Sequence, residues 1–176
     1  MSPKNTFLLI NICGGILVVG GYAIGLSLYP EYNEALWGGV QGTLRNLFMI
    51  SMIPAALGYL TFCYIVIFKD SIEILSNKGF LGKNTVAILI TLFLLSAACW
   101  MPTLIAYIHT QNTNWWLLSV LSLWITAISI LILTRTIAST PTTKLSNASK
   151  TISVIGLAYI TFHCLFVDAI VWVYMF

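Results

Sequence analysis

Five apolar runs, each 19 to 25 residues long and almost free of charge, dictate what this chain can become. They cover residues 6–29, 47–68, 85–108, 115–133 and 152–176. A bilayer's hydrocarbon core is roughly 30 Å thick, and an α-helix rises about 1.5 Å per residue, so about 20 residues cross it. Membrane β-strands are about ten residues long and alternate in polarity, and these runs do neither. With no water in the core, helices are the structure that satisfies the backbone within each run. The expected fold is all-α: a polytopic bundle of five transmembrane helices, a single domain over residues 1–176. Composition excludes the soluble alternatives, because 59% of residues are apolar and only 7% charged, against about 25% charged in a soluble domain. The longest connecting segments, of about 17 residues, hold no soluble domain. The first run is too long for a signal-peptide core of about 7–15 residues and has no small-x-small cleavage site before Pro30, so it reads as a retained helix. Residues 134–151, with Pro141 among Thr, Ser and Asn, read as a polar connector.

Charge sets the expected orientation. Lys4, Lys69, Lys78, Lys83, Arg135, Lys144 and Lys150 fall on one side of five alternating spans, and Arg45 alone on the other. Short loops with that bias place the N-terminus in the cytoplasm and the C-terminus on the extracytoplasmic side. The sequon Asn147-Ala148-Ser149 then faces the cytoplasm and stays unmodified. A net charge of +3, scattered along the chain, excludes a nucleic-acid partner. The bilayer is the expected partner.

Polar groups inside the runs carry what functional signal there is. Asp168 sits eight residues before the end of the fifth run, roughly 12 Å along its axis. A carboxylate in hydrocarbon costs about 2.5–3.5 kcal/mol at a helix centre, so it faces the bundle interior, pairs, or is protonated. Arg45, the only cation on that side, is the expected partner, with His109 nearby. The pair either locks helices 2 and 5 or marks a ligand site. His163 lies five residues before Asp168, about 140° around an α-helix, so the two are not expected to share a face. His163 alone reads as an interhelical hydrogen-bonder. His109 and His163 differ in depth by roughly 15 Å or more, too far for bis-histidine haem. No metal-ligand spacing is present among His and Cys. Cys13, Cys63, Cys99 and Cys164 lie singly in apolar runs, where Cys behaves as a small hydrophobe. No cofactor is assigned, and no catalytic set is readable.

Tryptophan is one-sided. Trp37, Trp100, Trp115, Trp116 and Trp172 all fall toward the outer face, and only Trp124 near mid-membrane. They form either an interfacial belt or the lining of an outward-facing aromatic cavity. Pro54 and Pro102 each remove an amide donor, freeing the carbonyls of Ile50 and Ala98, and kinks there can open a cavity. Gly14, Gly15, Gly20 and the pair Gly21 and Gly25 give helix 1 a smooth face for close packing, within the bundle or in a homo-oligomer. The first loop, with Trp37-Gly38-Gly39 and Gly42, is either a lid over the bundle mouth or an interfacial amphipathic segment.

Five helices in fewer than 180 residues, many tryptophans, a sizeable first loop and Trp100-Met101-Pro102 in the third run together resemble the tryptophan-rich sensory protein or translocator protein (TspO) family. Members carry a Trp-x-Pro in the third helix and bind porphyrins and sterols in a pocket capped by the first loop. The resemblance implies a ligand pocket with Trp100 and Pro102 in its wall. Where that family carries Lys-Pro-x-Trp-x-Pro-Pro after the first helix, this chain reads Tyr29-Pro30-Glu31-Tyr32.

These readings converge on a protein that binds or transports a small hydrophobic ligand. The expected pocket has walls of Trp37, Trp100, Pro102 and Trp172, a polar end of Asp168 and Arg45, and His109 and His163 close by. Two alternatives stand: an enzyme acting on a membrane lipid through Asp168 or His163, and an accessory subunit of a membrane complex. The chain is more readily a non-enzyme, since no second carboxylate or nucleophile–base arrangement is legible.

Overall fold

A computed structural model describes residues 2–69, 84–141 and 146–176. Lys78, Lys83 and Lys144, which contribute to the charge bias, lie outside the described residues. Among the described residues, five helices are long and apolar enough to cross a membrane: α1 Pro3–Leu28, α2 Gly42–Phe68, α3 Thr85–Thr110, α4 Thr113–Ser139 and α5 Asn147–Met175. All five expected spans are present, and most run beyond their apolar cores. α4 continues through Arg135 to Ser139 because Thr134 and Thr136 satisfy their hydroxyls on carbonyls one turn back, at 2.8 Å each. A polar residue is thereby carried inside the helix instead of ending it. α5 begins at Asn147 because Ser146 caps it, its hydroxyl accepting from the Ser149 amide at 3.1 Å.

Neighbours in sequence are not all neighbours in space. α1 packs on α3, α3 on α4, α4 on α5, and α5 on α2. Between lipid-compatible helices, small residues and hydroxyl pairs do the joining. Ser96 of α3 meets Thr126 of α4 at 2.7 Å, and Thr134 of α4 meets Thr161 of α5 at 2.9 Å. α2 and α5 cross backbone to backbone: a Cβ on Gly58 would lie 2.6 Å from the Gly156 carbonyl oxygen, and the reverse holds equally. On α1, Gly14 and Gly25 press against Leu94 and Met101 of α3, and Gly21 faces the Ala98 carbonyl that Pro102 deprives of its donor. These glycines are therefore used within the chain, while Gly15 and Gly20 face open space. The outward surface of α1 is apolar, with Leu9, Ile12, Ile16 and Val19 each more than half exposed, as a lipid-facing helix requires.

α1 and α2 meet near one end. There the Tyr59 hydroxyl donates to Asn11 Oδ1 at 2.7 Å, and Phe7 packs edge-on against Phe62. The other end is covered by the first loop, two short 3-10 turns over Pro30–Tyr32 and Ala35–Trp37. Leu36 and Val40 of that loop are buried. Gly38, at φ +54° against Phe176, and Gly39, whose amide donates to the Met175 carbonyl at 2.9 Å, dock it on the end of α5. Trp172 Nε1 donates to the Leu36 carbonyl at 3.2 Å. Of the two readings of this segment, the structure has the packed cap.

From His163 to Trp172, α5 is π-helical. Its i→i+5 bonding widens the helix and brings residues five apart onto one side. His163 and Asp168 are such a pair. The α-helical expectation that they point apart is corrected here: His163 Nε2 lies 3.6 Å from Asp168 Oδ1.

Candidate functional site

A cavity of about 300 Å³ lies beneath the cap. Trp37 and Leu36 of the loop form its roof, Trp100 and Met101 of α3 one wall, and Asp168 and Trp172 of α5 another. Tyr22 and Leu26 of α1 face Phe48, Met49 and Met52 of α2 across it. The π-helical stretch places Asp168 and Trp172 in the lining together, and π segments inside α-helices recur at functional sites. The rings are continuous: Tyr22 meets Trp100 edge-on at 5.8 Å, and Trp100 meets Trp172 at 5.4 Å. Trp172 then contacts Trp116 and Phe176. Trp116 thus belongs to this cluster, while Trp115 is exposed as a belt residue would be.

The cavity opens sideways. Leu26, Met49 and Met52 line it and are each more than 40% exposed. They flank the gap where α1 and α2 diverge from their Asn11–Tyr59 contact. The cap covers the end, and these exposed side chains leave the cavity open on the flank between the two helices. Methionine there is unbranched and conformationally adaptable.

Asp168 has a different setting from the one its depth implied. Arg45 is not its partner: the guanidinium bonds Glu34 at 2.7 Å and lies over the Trp37 ring at 4.8 Å. The cap folds Glu34 back to the first turn of α2, and a carboxylate at the water-exposed edge is the cheaper partner to reach. Among the described residues, no Lys or Arg lies within ion-pair distance of Asp168. Its neighbour is His163, buried at 5% exposure and held by Ser51, whose hydroxyl lies 2.9 Å from Nδ1. The Tyr159 hydroxyl reaches Ser51 at 3.3 Å. In the tautomer where Nδ1 accepts from Ser51, the Nε2 proton faces the carboxyl. At 3.6 Å this is an electrostatic contact and not a hydrogen bond.

Four of the eight expected site residues therefore line the cavity: Trp37, Trp100, Asp168 and Trp172. His163 stands behind Asp168, outside the lining. Pro102 lies on the exposed face of α3, one residue past the wall. His109 bonds the Tyr32 hydroxyl at 2.9 Å and fastens the cap. Arg45, in the first turn of α2, fastens the cap through Glu34 and Trp37. Arg45→Ala is expected to lower stability by only about 1 kcal/mol or less, because the ion pair is exposed and one cation–π contact is lost. Denaturation of the variant beside the unsubstituted protein measures this. A loss of several kcal/mol would mean that Arg45 compensates a buried charge.

The residues missed from sequence are Tyr22, Leu26, Leu36, Phe48, Met49, Met52, Met101 and Leu123. One signal was available: Phe48, Met49 and Met52 fall within the two turns before Pro54, on a single side of α2. Among the described residues, no group of three His, Cys, Asp or Glu side chains gathers to hold a metal.

Compared with protein-family models, with curated proteins and with solved structures, the chain matches none. Fold and site together define the class, a polytopic all-α membrane protein of five helices with a capped aromatic cavity.

Proposed function

We propose that the protein binds a small hydrophobic ligand, or passes it on, in the cavity beneath the first loop. The observation that carries this reading is the joint placement of Asp168, Trp37, Trp100 and Trp172 around one apolar space of about 300 Å³. Apolar walls with a single polar anchor are the usual form of such sites, and this volume is at the small end of their range. A pocket capped by the first loop, with Trp100 in its wall, is also what the resemblance to the tryptophan-rich sensory protein family implies. The charge bias supports an N-terminus in the cytoplasm, which puts the cavity in the extracytoplasmic half of the bilayer.

A lipid-directed enzyme is the second reading, and one arrangement favours it: Ser51, His163 and Asp168 stand in nucleophile–base–acid order. Against it, Ser51 does not line the cavity, and its hydroxyl is already engaged by Tyr159. A fluorophosphonate probe is expected to leave Ser51 unlabelled, and labelling there would favour the enzyme.

The binding reading is tested by mass spectrometry of small molecules that co-purify with the protein from its membrane. A defined species is expected with the unsubstituted chain and not with Leu26→Phe/Met52→Phe, which fills the cavity. The same molecules on both proteins would contradict the reading.

A further inference from the structure

The ligand's polar group can be narrowed by what the cavity lacks. Asp168 puts an acid into its wall. Arg45, the cation expected on the same side of the membrane, is paired with Glu34 at 2.7 Å. His163 Nε2 stops at 3.6 Å from the carboxyl, short of a hydrogen bond. The other polar atoms of the lining are the Tyr22 hydroxyl and the indole N–H groups, of which Trp100 Nε1 has no hydrogen-bond partner among the described residues; the remainder is aromatic or aliphatic. The faces of Trp and Tyr rings carry negative potential and attract cations. Trp37 already does so on this protein, holding the Arg45 guanidinium at 4.8 Å. A space with one acid, five aromatic side chains and, among the described residues, no unpaired cation has the complement of a positive charge on an apolar body. An anionic headgroup would meet the carboxyl and the ring faces with like sign.

We infer that the cavity takes a monocationic amphiphile, an amine whose ammonium sits at Asp168 and whose hydrocarbon lies among Trp100, Trp172, Met49 and Met52. This rests on the binding reading above and specifies its ligand class. The amine arrives from the bilayer through the gap between α1 and α2, where Leu26, Met49 and Met52 are exposed. The ammonium supplies the hydrogen bonds that His163 does not make. His163, fixed by Ser51, stands behind the carboxyl.

Three probes of equal chain length separate the possibilities: octylamine, octan-1-ol and octanoate. Each is titrated into the protein in phosphatidylcholine nanodiscs, tryptophan fluorescence is followed, and partition into empty nanodiscs is subtracted. Octylamine is expected to saturate at about tenfold lower concentration than octan-1-ol, which corresponds to about 1.4 kcal/mol, and octanoate to be weakest. Asp168→Asn is expected to abolish the preference for the amine while octan-1-ol still saturates, which also shows that the variant is folded. Equal saturation by amine and alcohol in the unsubstituted protein, or a preference for octanoate, would overturn the amine inference and leave the pocket standing. Absence of saturation by all three would overturn the pocket, and the inference with it. The comparison of probes on the unsubstituted protein decides the matter even where the variant is unstable.

Discussion

Gly58→Leu is expected to destabilise the protein by more than about 3 kcal/mol, the upper end of what overpacking costs. The reason is the identity of the obstacle. A side chain at Gly58 meets the backbone of Gly156, at 2.6 Å from its carbonyl oxygen and 2.8 Å from its Cα. A flexible side chain could turn away; a helix backbone cannot. α2 and α5 would have to separate, straining the Ser51–His163 bridge between them and the wall that carries Asp168. Thermal denaturation in detergent is expected to show a fall of roughly 6–12 °C. Gly156→Leu should behave alike, because the contact is reciprocal. Gly15→Leu, which meets nothing within 4 Å, should leave the midpoint nearly unchanged. Equal tolerance at positions 58 and 15 would mean that α2 and α5 do not cross here.

Asp168→Leu is expected to act in the opposite direction. An acid in the wall of an apolar cavity lacks a cationic partner among the described residues, and its interaction with His163 is long. Replacing such a group by a hydrocarbon of similar size removes a desolvation penalty and fills part of the space. A gain of about 2 kcal/mol is expected, within the range seen when buried charges are exchanged for apolar residues. The same substitution should remove any preference for an amine over an alcohol. A residue that lowers stability and supports binding is held for its function. If Asp168→Leu instead lowers the denaturation midpoint, the acid is a structural lock between helices, and its place in the cavity is incidental.

Much of this site is visible in sequence because of contrast. Asp168 stands out in a run of hydrocarbon, and Trp37, Trp100 and Trp172 stand out as large rings on one side of the membrane. Leu26, Leu36 and Leu123 line the same space yet are invisible, since an apolar residue in an apolar stretch carries no contrast. The spans themselves follow from length and hydropathy, but their packing order does not: α1 beside α3 and α2 beside α5 depend on where small residues sit. Gly58 and Gly156, each the lone glycine of its apolar run, give no pattern to read. Two inferences failed for identifiable reasons. At 3.6 residues per turn, His163 and Asp168 diverge, and only the i→i+5 register brings them together. Arg45 was matched to Asp168 by side of the membrane, while Glu34, eleven residues earlier, reaches it once the cap folds back.

The cavity as a ligand site is tested most directly by 1-bromooctane, whose bromine quenches nearby indoles. Titrated into the protein in nanodiscs, it should quench tryptophan fluorescence with a saturating component, from Trp37, Trp100 and Trp172, on top of linear quenching from the bilayer. In Leu26→Phe/Met52→Phe only the linear component should remain. Identical linear quenching in both proteins would mean that nothing enters beneath the first loop.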